Sequence, residues 1–245
     1  MPALHDAASK GDTATVKRLL EGGTFRRPAD VNARDSDGNT ALHVAAESGS
    51  AEVARLLLQN GGDVHAREQG GNTPLHRACV RRHVGIMRML LEHGGDANAR
   101  GLFGWPPLLC AISVGSDTED RILEAVRMLL QHGADVNAAS HDGHAPLHDA
   151  AARGLVEVSR VLLANGAEVN MQATNGETAL LKAATNGHAG VVELLLEHRA
   201  DASLADMYGY TPFSSAAKNG LSCILEVLQK YAGGRLQDAS GIDQS

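Results

Sequence analysis

Apolar residues fall along this chain in short bursts at helical spacing, each closed by glycine. Glu52-Val-Ala-Arg-Leu-Leu-Leu58 and Val191-Val-Glu-Leu-Leu-Leu196 repeat valine and leucine at helical intervals, which predicts an amphipathic helix in each. A shorter stretch precedes each of them. In one of these, Leu75 and Ala78 are three apart and share a helical face. Pairs such as Ala45-Ala46, Ala151-Ala152 and Ala183-Ala184 are small enough to let the next helix approach closely. The short stretch opens on a residue such as Thr73 that can cap it, and Pro74 is tolerated in the first turn. Gly49 or Gly154 ends it, and Gly61-Gly62 or Gly133 ends the longer helix. Asp37-Gly38, Asp142-Gly143 and Asn175-Gly176 then signal a turn. The predicted unit is helix, turn, helix and hairpin tip.

The unit recurs. Thr40-Ala-Leu-His43 is followed 33 residues on by Thr73-Pro-Leu-His76, and Pro106-Pro-Leu-Leu109 comes another 33 later. Ala145-Pro-Leu-His148 follows after 39, then Thr178-Ala-Leu-Leu181 and Thr211-Pro-Phe-Ser214 at 33 each. Pro2-Ala-Leu-His5 starts the series, 38 before Thr40. With the small pairs, the leucine runs and segments like Gly133-Ala-Asp-Val-Asn137, the chain resembles the ankyrin-repeat family. The resemblance implies an all-α fold, a solenoid of stacked helix-turn-helix units joined by β-hairpin loops, because one unit cannot bury its apolar face alone. Seven repeats are expected at about 1–34, 35–67, 68–100, 101–139, 140–172, 173–205 and 206–234, making 1–234 one repeat domain, with a disordered polar tail at 235–245. Two insertions explain the uneven spacing, one around Gly23–Pro28 and one at Ser116–Arg121. The capping-box spacing of Ser116 and Glu119 suggests that the second lengthens an outer helix.

Composition narrows the function classes. Aromatics are only 3% of a chain that is 43% hydrophobic, so the core must be aliphatic. A net charge of −7 argues against binding driven by nucleic-acid phosphates. Cys79, Cys110 and Cys223 are odd in number and form no close pair, which fits a reduced cytoplasmic or nuclear setting. No apolar run approaches the roughly 20 residues that span a bilayer, so no membrane association is expected. No motif of nucleophile, base or phosphate loop is present. Neither a cofactor nor an enzymatic activity is expected, and a monomer is. His5, His43, His76 and His148 recur at one repeat position, where the family implies a bond tying hairpin to helix. Leu109, Leu181 and Ser214 replace them elsewhere, which a catalytic role would not survive. His141, Asp142, His144 and His148 cluster in sequence, but His148 is expected to point inward and the other two histidines to sit on a hairpin tip, so no metal site is assigned.

The family resemblance implies that partners meet the hairpin tips and the inner-helix surface. Arg34, Arg67 and Arg100, spaced by 33, are expected to form a ladder there, joined by Lys10, Arg81, Arg153 and Lys218. Against these seven bases stand Asp37, Glu47, Asp142 and Glu177, so the face carries +3 and the rest of the chain −10. Such a face suits an acidic or phosphorylated protein surface. Local neutralisation of the arginines by Asp35 and Glu68 is the competing reading. Leu102, Phe103 and Trp105 fall on the tip of repeat four, and Met207, Tyr208 and Tyr210 on that of repeat seven. Four of the chain's seven aromatics thus occupy two tips, as interface anchors do. The expected role is that of an interaction scaffold or adaptor, with a regulatory or inhibitory subunit of an enzyme complex as the alternative.

Overall fold

The computed structural model describes residues 3–22, 27–115 and 117–240. Fourteen α-helices and one short 3-10 turn occur among them. They fall into two compact units, Met1–Ala138 and Ala139–Ser245.

The first unit holds α1 (Ala3–Ser9), α2 (Thr13–Glu21), α3 (Ala41–Ser48), α4 (Ala51–Gln59), α5 (Pro74–Arg81), α6 (Val84–Glu92), α7 (Pro107–Ser113) and α8 (Glu119–Gln131). The odd-numbered helices pack in one row and the even-numbered in another, and each helix also contacts its partner in the same repeat. Leu42, Leu57, Leu75, Ile86, Leu90, Ile112 and Leu129 are fully buried between the rows. Ala45, Ala46, Ala78 and Ala111 have no exposed surface, as expected where helices approach closely. The second unit repeats the scheme with α9 (Pro146–Ala152), α10 (Val156–Ala164), α11 (Ala179–Thr185), α12 (Ala189–Glu197), α13 (Pro212–Lys218) and α14 (Ser222–Ser240). There α9, α11 and α13 form one row, and α10, α12 and α14 the other.

The expected β-hairpin loops are tight turns rather than ladders. Only one isolated bridge, Gln172 to Thr178, pairs extended backbone among the described residues. Successive loops are linked by single backbone bonds instead: Gln69 N donates to Asp37 O at 3.0 Å, and Met207 N to Asn175 O at 2.9 Å. Glycine is needed for this approach. Gly143 has φ 77°, and a Cβ there would lie 2.8 Å from the Thr174 nitrogen of the next loop. Hairpin asparagines add side-chain bonds between repeats. Asn98 Nδ2 donates to Gly133 O at 2.9 Å, and its Oδ1 accepts from Asp135 N at 2.7 Å.

The second insertion lengthens a helix as expected. α8 has 13 residues against nine in α4 and α6. Its N-cap is Thr118; Ser116 lies outside the described residues, as do residues 23–26 of the first insertion. The expectation of a disordered tail from 235 is corrected in part. α14 runs on to Ser240, so Gly233-Gly234 sit inside it rather than past its end. Two glycines cost a helix only about 1 kcal/mol each, and Arg235, Leu236 and Gln237 beyond them are good helix formers. Residues 241–245 lie outside the described set.

One cap departs from the pattern. The turn between the helices of a repeat carries glycine with positive φ at 11, 49, 115, 154, 187 and 220. The third repeat has Arg82 there, at φ 53° and 3% exposed. Its guanidinium donates to Ala111 O (3.0 Å), Val80 O (3.2 Å) and Val114 O, and pairs with Asp117 at 2.6 Å. Asp117 also pairs with Arg121 of α8 at 3.1 Å. Arg82 therefore ties the enlarged loop of repeat four to repeat three.

Candidate protein-interaction surface

In repeats one, two, three and five a buried histidine of the first helix bonds the loop that follows. His43 Nδ1 accepts from the Thr40 N–H at 3.1 Å, which leaves the ring proton on Nε2 to bond Asn72 O of the next loop at 3.1 Å. His76 repeats this with Thr73 (3.1 Å) and with Ala99 O and Trp105 O (both 3.0 Å). Burial lowers both side chains to a pKa of about 4, so they are neutral at pH 7.

The ladder arginines lie on the exposed edge of these loops. Arg34 Nη1 donates to its own loop at Gly38 O (2.9 Å) and to Arg67 O of the next. Arg67 Nη1 does the same to Gly71 O (2.9 Å) and Arg100 O (2.5 Å). Arg100 reaches Gly104 O at 3.0 Å. The column is thus built by the fold, Arg34 and Arg67 each stapling two loops. In the second unit a neutral amide fills the same position: Gln172 Nε2 bonds Gly176 O (2.9 Å) and Ala205 O (3.3 Å). Stapling needs a donor but no charge.

The competing neutralisation by Asp35 and Glu68 does not take the form of ion pairs. Although burial opposes it, the amides of Asn39 and Asp37 hold the Asp35 carboxyl below its usual range. Those of Gly70 and Asn72 do the same for Glu68. Both carboxylates are turned into their own loops. Among the described residues no carboxylate pairs with Arg34 or Arg67.

At the tip of repeat four, Leu102 is 47% and Phe103 64% exposed. Phe103 has φ 56° and ψ 21°, a left-handed conformation that costs an ordinary residue about 1–2 kcal/mol. An exposed phenylalanine gains little packing in return, so the fold gives no reason for this residue here. Trp105 is half-buried, and its carbonyl accepts from His76. At the tip of repeat seven Met207 and Tyr208 are 67% and 75% exposed. Tyr210 is half-buried, with Lys218 Nζ 2.7 Å from its hydroxyl and 4.4 Å from its ring centre.

A family model described as ankyrin repeats (3 copies) matches residues 4–101, 93–173 and 162–238. The chain belongs to the ankyrin-repeat family. Among curated proteins it is 47% identical over 58 residues to protein phosphatase 1 regulatory subunit 12A of Mus musculus and of Rattus norvegicus, covering 24% of this chain and 5% of each relative. It is 43% identical over 56 residues to Inversin of Danio rerio, covering 23% and 5%. The chain thus matches about one twentieth of these relatives' length. Among solved structures it resembles the ankyrin repeat domain of Bcl-3, a member of the IkappaB protein family, with a TM-score of 0.76 and 29% identity over 94% of this chain and 98% of that one. The human ASB11 ankyrin repeat domain gives 0.79 and 25% over 93% and 97%.

The remaining ankyrin surface residues divide. Arg81 is exposed but pairs with Glu47 at 3.2 Å, alongside Arg77 at 3.3 Å. Lys10 pairs with Asp6 at 2.8 Å. Arg153 is half-buried at the C-cap of α9. His144 stacks on His148, with ring centres 5.8 Å apart. Both His148 nitrogens are committed to backbone, Nδ1 to Ala145 N (3.1 Å) and Nε2 to Met171 O (3.0 Å) and Glu177 O (3.1 Å). Sequence reasoning missed Arg82, although a non-glycine at the capping position of one repeat was a visible signal. It also missed Phe213, which takes the place of the buried Leu75 in the last repeat and is 45% exposed.

Proposed function

We propose that this ankyrin array is a protein-binding scaffold whose contact surface in the first unit is the row of loop tips from repeat two to repeat four. The observation that carries the reading is Phe103, exposed and held in a left-handed conformation that the fold does not reward. The arginine column beside it favours a partner with an acidic or phosphorylated surface. Met207 and Tyr208 offer a second contact on the other unit. The chemistry proposed is recognition, without catalysis, metal or cofactor.

Affinity capture from the native source tests this. Phe103→Asn puts a residue that tolerates left-handed backbone at the tip, so stability is expected to stay level or rise by about 0.5–1 kcal/mol. Capture of the partner is expected to fall by roughly tenfold or more, on the scale of an aromatic anchor. Unchanged capture with unchanged melting would remove Phe103 from the interface. Trp105, being half-buried, is the weaker probe.

A regulatory role is the second reading. It draws on the names of similar proteins, a regulatory subunit of protein phosphatase 1 and a member of the IkappaB family. Assay of the captured partner with and without this chain separates the two: altered activity favours regulation, unaltered activity favours a scaffold.

A further inference from the structure

Arg34 and Arg67 hold the most informative geometry on the surface. Each spends Nη1 on two carbonyls, and the structure gives neither a further hydrogen bond nor an ion pair. Nε and Nη2 of both are therefore available to an outside acceptor, with the side chain already immobilised. The staples also fix the spacing. Arg34 reaches the backbone of Arg67 itself, so one step of the column equals one step of the helix stack, about 8–10 Å.

We propose, resting on the scaffold reading above, that the column binds an acidic peptide segment in the polyproline-II conformation with a carboxylate or phosphate at every third residue. A polyproline-II helix has three residues per turn and rises about 3.1 Å per residue, so residues three apart lie on one face about 9 Å apart. A β-strand returns to the same face every two residues, about 7 Å, and falls out of step. An α-helix returns after seven residues at about 10 Å. A docked helix, however, ordinarily lays an apolar stripe into a hydrophobic groove. Between Arg34 and Arg100 the exposed tip residues are Ser36, Asp37 and Gln69, which supply no such stripe. Polyproline II needs none, because its backbone is solvated. Leu102 and Phe103 stand beyond Arg100, where an apolar residue following the acids would land.

Gln172 shows how to remove the charge and keep the fold. In Arg34→Gln/Arg67→Gln the amides can make the same two carbonyl bonds, so the melting temperature is expected to hold. The probe is a labelled peptide of four Glu-Pro-Ala triplets, titrated by fluorescence anisotropy against the full chain at low salt. Two control peptides have the same number of glutamates, one with an acid at every second residue and one helical with an acid at every seventh. The triplet peptide is expected to bind at least about tenfold tighter than either control, and the double variant to lose at least about tenfold. Equal binding of all three peptides, preference for the helical one, or binding untouched by the double variant would overturn the proposal. So would tighter binding of single-stranded DNA of the same length. If the peptide series fails while Phe103→Asn still abolishes capture of the native partner, the register is wrong and the scaffold reading stands.

Discussion

Arg82→Met is expected to destabilise the first unit by about 3–5 kcal/mol, the range for breaking a buried ion pair from one side. The guanidinium is 1% exposed and the Asp117 carboxylate 29%. Methionine would leave the carbonyls of Ala111 and Val114 without this donor and weaken the hold on the Asp117 segment. Arg82→Gly gives a sharper test. Glycine is the residue that five other repeats use at this left-handed position and the first repeat uses at Gly11, so the backbone is relieved while the staple is lost. It should be less harmful than methionine, by about the 1–2 kcal/mol of left-handed strain, yet clearly below wild type. Urea denaturation followed by circular dichroism reads both. A loss under about 1 kcal/mol for methionine would mean that the loop is held by the helices alone.

Acid should unfold the array through its histidines. His43 and His76 fall from 6.5 to about 4 on folding. The sign follows from the neutral folded form. Between those values the unfolded chain binds protons that the folded chain refuses, so stability is fully present above about pH 6.5 and is lost as pH falls toward 4. Each group is worth on the order of 3 kcal/mol over that window, and lowered His148 adds in the same direction. Melting temperature against pH should therefore drop steeply between 6 and 4. His76→Leu, copying Leu109 of the next repeat, should be weaker at pH 7 for want of its bonds to Ala99 and Trp105. It should also show a shallower pH dependence. A pH profile identical to wild type would place the acid sensitivity elsewhere.

The period carried most of the fold. Thr73-Pro-Leu-His76 and its cognates placed every inner helix, because capping threonine, first-turn proline and buried leucine each have one position they can fill. What the period could not show is where long side chains end. The spacing of Arg34, Arg67 and Arg100 revealed a column, but not that Nη1 is consumed by carbonyls; that depends on how closely the loops approach. Aromatic residues at 103, 105, 208 and 210 were legible as a group. Their division into exposed Phe103 and Tyr208 and half-buried Trp105 and Tyr210 follows from residues at the loop tip facing outward and those next to the helix start facing the inner helices.

Photocrosslinking tests the central claim most directly. A benzoylphenylalanine at position 103 samples the loop tips, and one at position 127 samples exposed outer helix α8. The tip probe is expected to capture a specific protein that the outer probe does not, and an Arg34→Gln/Arg67→Gln background is expected to reduce that product. A partner crosslinked from position 127 but not from position 103 would contradict the account and move the binding surface to the outer helices.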